Sequence, residues 1–128
     1  MHEVTLLVVE DNDDDRFLTV RTLKKLPLAL QIEVAKNGDE ALQRLLAAGS
    51  AIPDLVLLDL QLPKIGGIHL LSRLRERFSS KELPVIVLSS SDNPGDINLC
   101  RELGISGYLS KPLDVTELRQ HLAAIIPP

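Results

Sequence analysis

The chain has 128 residues and a formal net charge of −4, with 45% hydrophobic but only 2% aromatic residues. That length suits one domain, and that composition suits a core built almost wholly from Leu, Val, Ile and Ala. The acidic balance, with Lys and Arg scattered and no basic stripe, argues against a nucleic-acid binder held by phosphate contacts. The opening MHEVTLLVVEDN lacks the basic lead of a signal peptide, and its apolar run is too short to span a membrane. The single cysteine, Cys100, cannot form an internal disulfide, which fits a reducing, cytoplasmic setting and a small buried side chain on a helix.

In chain order, apolar runs of strand length alternate with segments of helical period. Val4–Val9 reads as a first strand, followed by a helix over Asp13–Leu26 that places Phe17, Val20, Leu23 and Leu26 near one face. Gln31–Lys36 alternates as a second strand, and Gly38–Ala48 brings Ala41, Leu42, Leu45 and Leu46 together on a second helix. Leu55–Leu58 is a third strand between two aspartates, with a helix over Gly67–Phe78 after it. Val85–Leu88 is the fourth strand, and a helix over Pro94–Leu103 follows. Gly107–Ser110 is the fifth, and Asp114–Ile125 closes the series. Asp114 is a candidate N-cap with Glu117 as its capping-box partner, and Gly49 and Gly104 are candidate helix stops.

Five strand–helix units with short connections predict an α/β domain: a doubly wound parallel sheet with helices on both faces. Its continuous apolar strands are those of a sheet buried on both sides. Ligands of such sheets bind beyond the carboxyl ends of the strands. The residues expected there are Glu10 and Asp11 after strand 1, Asp59 after strand 3, Ser89 after strand 4, and Ser110 and Lys111 after strand 5. If strands 1 and 3 are neighbours, three carboxylates meet beside one ammonium and one hydroxyl. Such a cluster needs a cation, and a few oxygen ligands suit Mg²⁺, which keeps several waters. Asp13, Asp14 and Asp15 read instead as acids of a first helical turn, stabilised by the helix dipole.

Rival motifs fail on spacing. An EF-hand loop starting at Asp11 would need Gly and Glu where Arg16 and Thr22 stand. No Walker-type or GxGxxG sequence is present. His2, His69 and His121 are too dispersed for a zinc site and read as surface positions.

The ordered set VVEDN, LLDLQLP, VIVLSSS and GYLSKP resembles the receiver domain of two-component response regulators, over essentially the whole chain. The resemblance implies a flavodoxin-like (βα)5 fold with strand order 2-1-3-4-5. It implies that Asp59 accepts a phosphoryl group from a sensor histidine kinase. Glu10, Asp11, Asp59 and the backbone carbonyl of Gln61 would hold Mg²⁺, for which Mn²⁺ could substitute. Lys111 would pair with the phosphoryl oxygens, Ser89 and Tyr108 would form the switch, and Pro112 would follow a cis peptide bond. Gln61 and Ser91 stand where side chains influence the life of the phosphoryl group.

The chain departs from the family at Gly66-Gly67, where an Asp-Gly is common, and at Ser89, where threonine is commoner. Gly66 is a somewhat poorer helix cap than aspartate. A single receiver domain over residues 1–128 with no output domain is expected, like the single-domain chemotaxis regulators. The VEDNxxD opening and the SSSDNPGDI stretch resemble the regulators that serve bacterial phytochrome-type kinases. A homodimer through helix 4, strand 5 and helix 5, and an unidentified downstream protein, are the further partners implied; nucleic acid and membrane are not.

Other classes are disfavoured by single positions. A phosphohydrolase of this type carries a second aspartate two residues after the nucleophile, where Gln61 stands, so slow self-phosphorylation and autodephosphorylation are the most catalysis expected. A module freed from phosphorylation would not need Glu10, Asp11, Asp59, Ser89 and Lys111 together. A flavin phosphate would be repelled by loops this acidic.

Overall fold

The computed structural model describes residues 3–62, 66–90 and 92–126. Its elements are β1 (Val4–Val9), α1 (Asp13–Leu23), β2 (Leu30–Ala35), α2 (Gly38–Leu46), β3 (Leu55–Asp59), α3 (Gly67–Arg77), β4 (Val85–Ser89), α4 (Pro94–Glu102), β5 (Gly107–Ser110) and α5 (Val115–Ile125). The strands form one parallel sheet in the order β2-β1-β3-β4-β5. His2 and Ser91 lie outside the described residues.

Alternation along the strands builds two cores. Leu7, Val9, Val56, Leu58, Val85 and Val87 face one side and pack with Ala41, Leu45, Leu70, Leu71, Leu74 and Cys100, under α2, α3 and α4. Leu6, Val8, Leu55, Leu57, Ile86 and Leu88 face the other and pack with Leu23, Leu118 and Leu122, under α1 and α5. β1, β3 and β4 are therefore apolar on both faces, whereas β2, at the sheet edge, leaves Gln31 and Val34 exposed.

Side chains start the helices beside the carboxyl edge of the sheet. Asn12, Asn37, Asn93 and Asp114 each accept hydrogen bonds from amides of the first turn that follows. Gly66 caps α3 with no side-chain bond. Gly104 has φ +73° and immediately follows the C-cap of α4, the αL stop expected of glycine. The guanidinium of Arg75, on α3, donates to the carbonyls of Leu103 (2.7 Å), Leu83 (2.8 Å) and Gly104 (3.2 Å), and so ties α3 to the end of α4.

Some expectations need correction. α1 ends at Leu23 rather than Leu26, because Pro27 disfavours helical geometry in the residue before it. Its buried face holds Thr19 and Leu23, while Phe17 is 66% exposed. Position 17 lies about 160° around the helix from 19 at 100° per residue, so the sheet contact rotates Phe17 out. His121 is half-buried rather than a surface residue. Its imidazole lies over Gly107, so close that a Cβ there would stand 2.7 Å from Nδ1. Cys100 is buried as expected, and burial pushes its thiol pKa up.

Candidate phosphoryl-acceptor site

The register of the central strands sets the site. Val9 pairs with Leu58 and Asp59 with Leu88, so the next residue of β1's path, Glu10, comes level with Asp59. Its amide still bonds to Ala35 O at 3.0 Å, which fixes it as an extension of the sheet. Alternation carries Glu10 and Asp59, after Val8 and Leu57, to the face covered by α1. Both acids are buried, at 2% and 4% exposure, while Asp11 is exposed.

One carboxylate oxygen each of Glu10, Asp11 and Asp59 lie within 4.8 Å of one another. Lys111, from the turn after β5, answers this charge. Its ammonium sits 2.6 Å from Glu10 Oε1, 3.0 Å from Asp15 Oδ2 and 3.3 Å from Asp59 Oδ2. The peptide between Lys111 and Pro112 is cis. Burial pushes the Glu10 carboxyl up, Lys111 opposes the rise and Asp59 reinforces it, so that its pKa stands at about 7. For Lys111 burial acts downward, but its bonds to Glu10 and Asp15 and the charge of Asp59 outweigh it and hold the ammonium above the ordinary lysine range.

These groups open into a cleft of about 490 Å³, whose walls run from Asn12, Asp15, Leu18 and Thr22 on the α1 side to Pro112 and Leu113. Gln61 lines it too. Its amide donates to Asp59 Oδ1 at 3.1 Å, and its side-chain oxygen accepts from the Ser90 hydroxyl at 2.9 Å. Ser89 is fully buried and does not line the cleft; Ser90 does. Ser89 continues the Val85 and Val87 side of β4. Tyr108, paired with Val87, packs half-buried against the core under α2, α3 and α4. The structure thus gathers Glu10, Asp11, Asp59, Gln61 and Lys111 around one cleft and sets Ser89 and Tyr108 on the opposite face of the sheet.

The sequence reading missed three contributors. Asp15, read from sequence as an acid of a first helical turn, also pairs with Lys111; the i, i+3, i+4, i+7 spacing of Asp15, Leu18, Thr19 and Thr22 is the available signal. Arg16 donates to Glu10 O at 3.0 Å and also bonds Asp13, which pins the β1–α1 turn. Gly67 had no signal of its own: a Cβ there would stand 2.5 Å from Leu60 Cα and 2.7 Å from Asp59 O.

The donor set fits a hard divalent cation. The cluster consists of carboxylates, and among the described residues no His or Cys joins it. A cation at this cluster would offset the charge that Glu10, Asp11 and Asp59 bring together.

The chain matches the response regulator receiver domain family over residues 6–123 and belongs to it. It is therefore a signalling domain of two-component systems, built to accept a phosphoryl group. Among curated proteins it is 32% identical over 123 residues to FilR2 of Methanothrix harundinacea, described as a probable methanogenesis regulatory protein; 94% of this chain and 79% of that one are covered. It is 32% identical over 117 residues to the response regulator Rcp1 of Synechocystis, across 88% of this chain and 80% of that one. The Mn²⁺-bound structure of Rcp1 superposes with TM-score 0.80 at 28% identity, covering 98% and 96% of the two chains. The bacteriophytochrome response regulator AtBRR superposes with TM-score 0.84 at 32% identity, covering 98% and 94%. Among the described residues no helix is long and apolar enough to cross a membrane.

Proposed function

We propose that Asp59 is the phosphoryl acceptor, supplied by the phosphohistidine of a sensor kinase. The observation that carries this reading is the convergence of Glu10, Asp11, Asp59 and Lys111 at the carboxyl edge of the sheet. An Asp59 oxygen attacks phosphorus, and the P–N bond breaks. The ring nitrogen keeps the electron pair and takes up a proton, and the product is an acyl phosphate. Lys111 neutralises the oxygens of the arriving group, and as a point charge it can also release them. The amide of Gln61 orients the Asp59 carboxylate. Mg²⁺, for which Mn²⁺ can substitute, would be held by Glu10, Asp11, Asp59 and the carbonyl of Gln61, and would offset the repulsion between carboxylate and phosphoryl group.

The Ser89 hydroxyl and Tyr108 would relay the change to the α4–β5–α5 surface. Their shared side of the sheet, next to α4, supports that role. A phytochrome-type kinase as donor is supported by the likeness to AtBRR. A homodimer through α4–β5–α5 is supported by Leu99, which stands 47% exposed on α4.

The test is intact mass after incubation with acetyl phosphate and Mg²⁺. One added phosphoryl group is expected on the native chain and none on Asp59→Asn. An adduct on the variant, or failure of the native chain to take up both acetyl phosphate and beryllofluoride, rejects the assignment.

A further inference from the structure

We propose that Asp15 is a positioning residue that holds the Lys111 ammonium against the α1 wall of the cleft and competes with the phosphoryl group for it. The proposal rests on the reading of Asp59 as acceptor.

An ammonium has three N–H donors. Here it has three carboxylate partners: Glu10 at 2.6 Å, Asp15 at 3.0 Å and Asp59 at 3.3 Å. Its donor capacity is filled, so a phosphoryl oxygen can gain a hydrogen bond from Lys111 only if a carboxylate gives one up. The three partners are not equivalent. Glu10 and Asp59 belong to the cluster whose oxygens could share a cation, and a cation held there would compete with the ammonium for them. Asp15 is outside that cluster. A cation held by that cluster would leave the Asp15 contact with Lys111 in place, as the partner that competes with an arriving phosphoryl group.

Its placement is firm. Asp15 sits in the first turn of α1, with its own amide bonded to the Asn12 cap at 2.9 Å, and α1 is anchored to the sheet by Thr19 and Leu23. The contact therefore ties α1 to the turn after β5, across 96 positions of sequence. The Asp15 side chain is 42% exposed against 3% and 4% for Glu10 and Asp59, so water screens this bond most and its competition is modest.

The measurement is calorimetric titration of the full chain with beryllofluoride in Mg²⁺, together with the decay of the acetyl phosphate adduct. Asp15→Asn keeps an acceptor for Lys111 but loses the charge. It is expected to bind beryllofluoride more tightly by roughly two- to five-fold, the range for a partly exposed ion pair, and to slow adduct decay. Asp15→Glu is expected to restore native behaviour. Asp14→Asn, an exposed acid of the same turn, controls for net charge, and the Asp15→Asn effect should vanish in a Lys111→Ala background. Equal affinities for Asp15→Asn and native protein, or an effect matched by Asp14→Asn or retained without Lys111, would overturn the proposal while leaving the acceptor reading intact. Failure of the native chain to bind beryllofluoride would overturn both.

Discussion

Glu10 shows how one buried carboxyl makes the site depend on pH. Its folded-state pKa of about 7 lies above the ordinary value of 4.5, so the metal-free folded chain binds this proton more tightly than the unfolded chain does. Stability from this residue is thus fully present below pH 4.5, falls as pH rises, and is lost above pH 7. Glu10→Gln removes the dependence because an amide does not ionise. In chelator at pH 8 the variant should resist urea better than the native protein, by on the order of 2 kcal/mol. At pH 4.5 the difference should nearly disappear. Equal pH slopes for the two proteins would show that Glu10 is not the group responsible. Lys111 is shifted in the same direction, upward, by its carboxylate partners, so it remains an ammonium throughout the range in which Glu10 titrates.

At the scale of elements, β3, which carries Asp59, depends on the first residue of α3. Gly67 donates its amide to Leu60 O at 3.0 Å, and its Cα lies against the backbone that carries Asp59. Alanine would ordinarily favour a helix over glycine by about 1 kcal/mol. Here its Cβ would meet Leu60 Cα at 2.5 Å and Asp59 O at 2.7 Å, and main-chain atoms cannot turn aside as a side chain can. Overpacking of that kind costs about 1–3 kcal/mol or more, so the clash outweighs the propensity. Gly67→Ala is expected to lower the thermal midpoint and, by shifting Asp59, to slow adduct formation. Gly66→Ala, with open space around its Cα, should do neither. A Gly67→Ala chain as stable and as reactive as the native one would contradict the close approach. The same scale explains Gly66 as a cap: α3 starts without a side-chain bond, and its backbone packing on β3 fixes the start instead.

For the molecule as a whole, the acids form a local concentration of charge that folding brings together and the unfolded chain disperses. A cation held by Glu10, Asp11 and Asp59 would stabilise only the folded state. At a free concentration a hundred times its Kd, that linkage is worth about 2.7 kcal/mol, or roughly 8–12 °C in Tm for a domain of this size. A Mg²⁺ titration followed by calorimetric melting should show this rise. Asp59→Asn should show less of it, since one carboxylate of the three is gone. A Tm independent of Mg²⁺ and Mn²⁺ would remove the cation from the site.

What the sequence determined is the architecture. Both faces of β1, β3 and β4 are buried, so their apolar runs are continuous and legible, and asparagine or aspartate marks the starts of α1, α2, α4 and α5. The ends of those runs placed Glu10, Asp11, Asp59 and Lys111 at one edge, because strand ends in a parallel sheet share an edge whatever the strand order. The tertiary structure decided what depends on distance between remote segments and on which way a helix is rotated. Asp15 looked like any acid of a first helical turn until α1, docked through Thr19 and Leu23, set it 3.0 Å from a lysine 96 positions away. The same docking left Phe17 in solvent. Gly67 is a glycine for a neighbour that appears only when α3 lies on β3, and His121 covers Gly107 only when α5 lies on β5. Periodicity reports a residue's place on its own element; what it faces is set by the packing of the others.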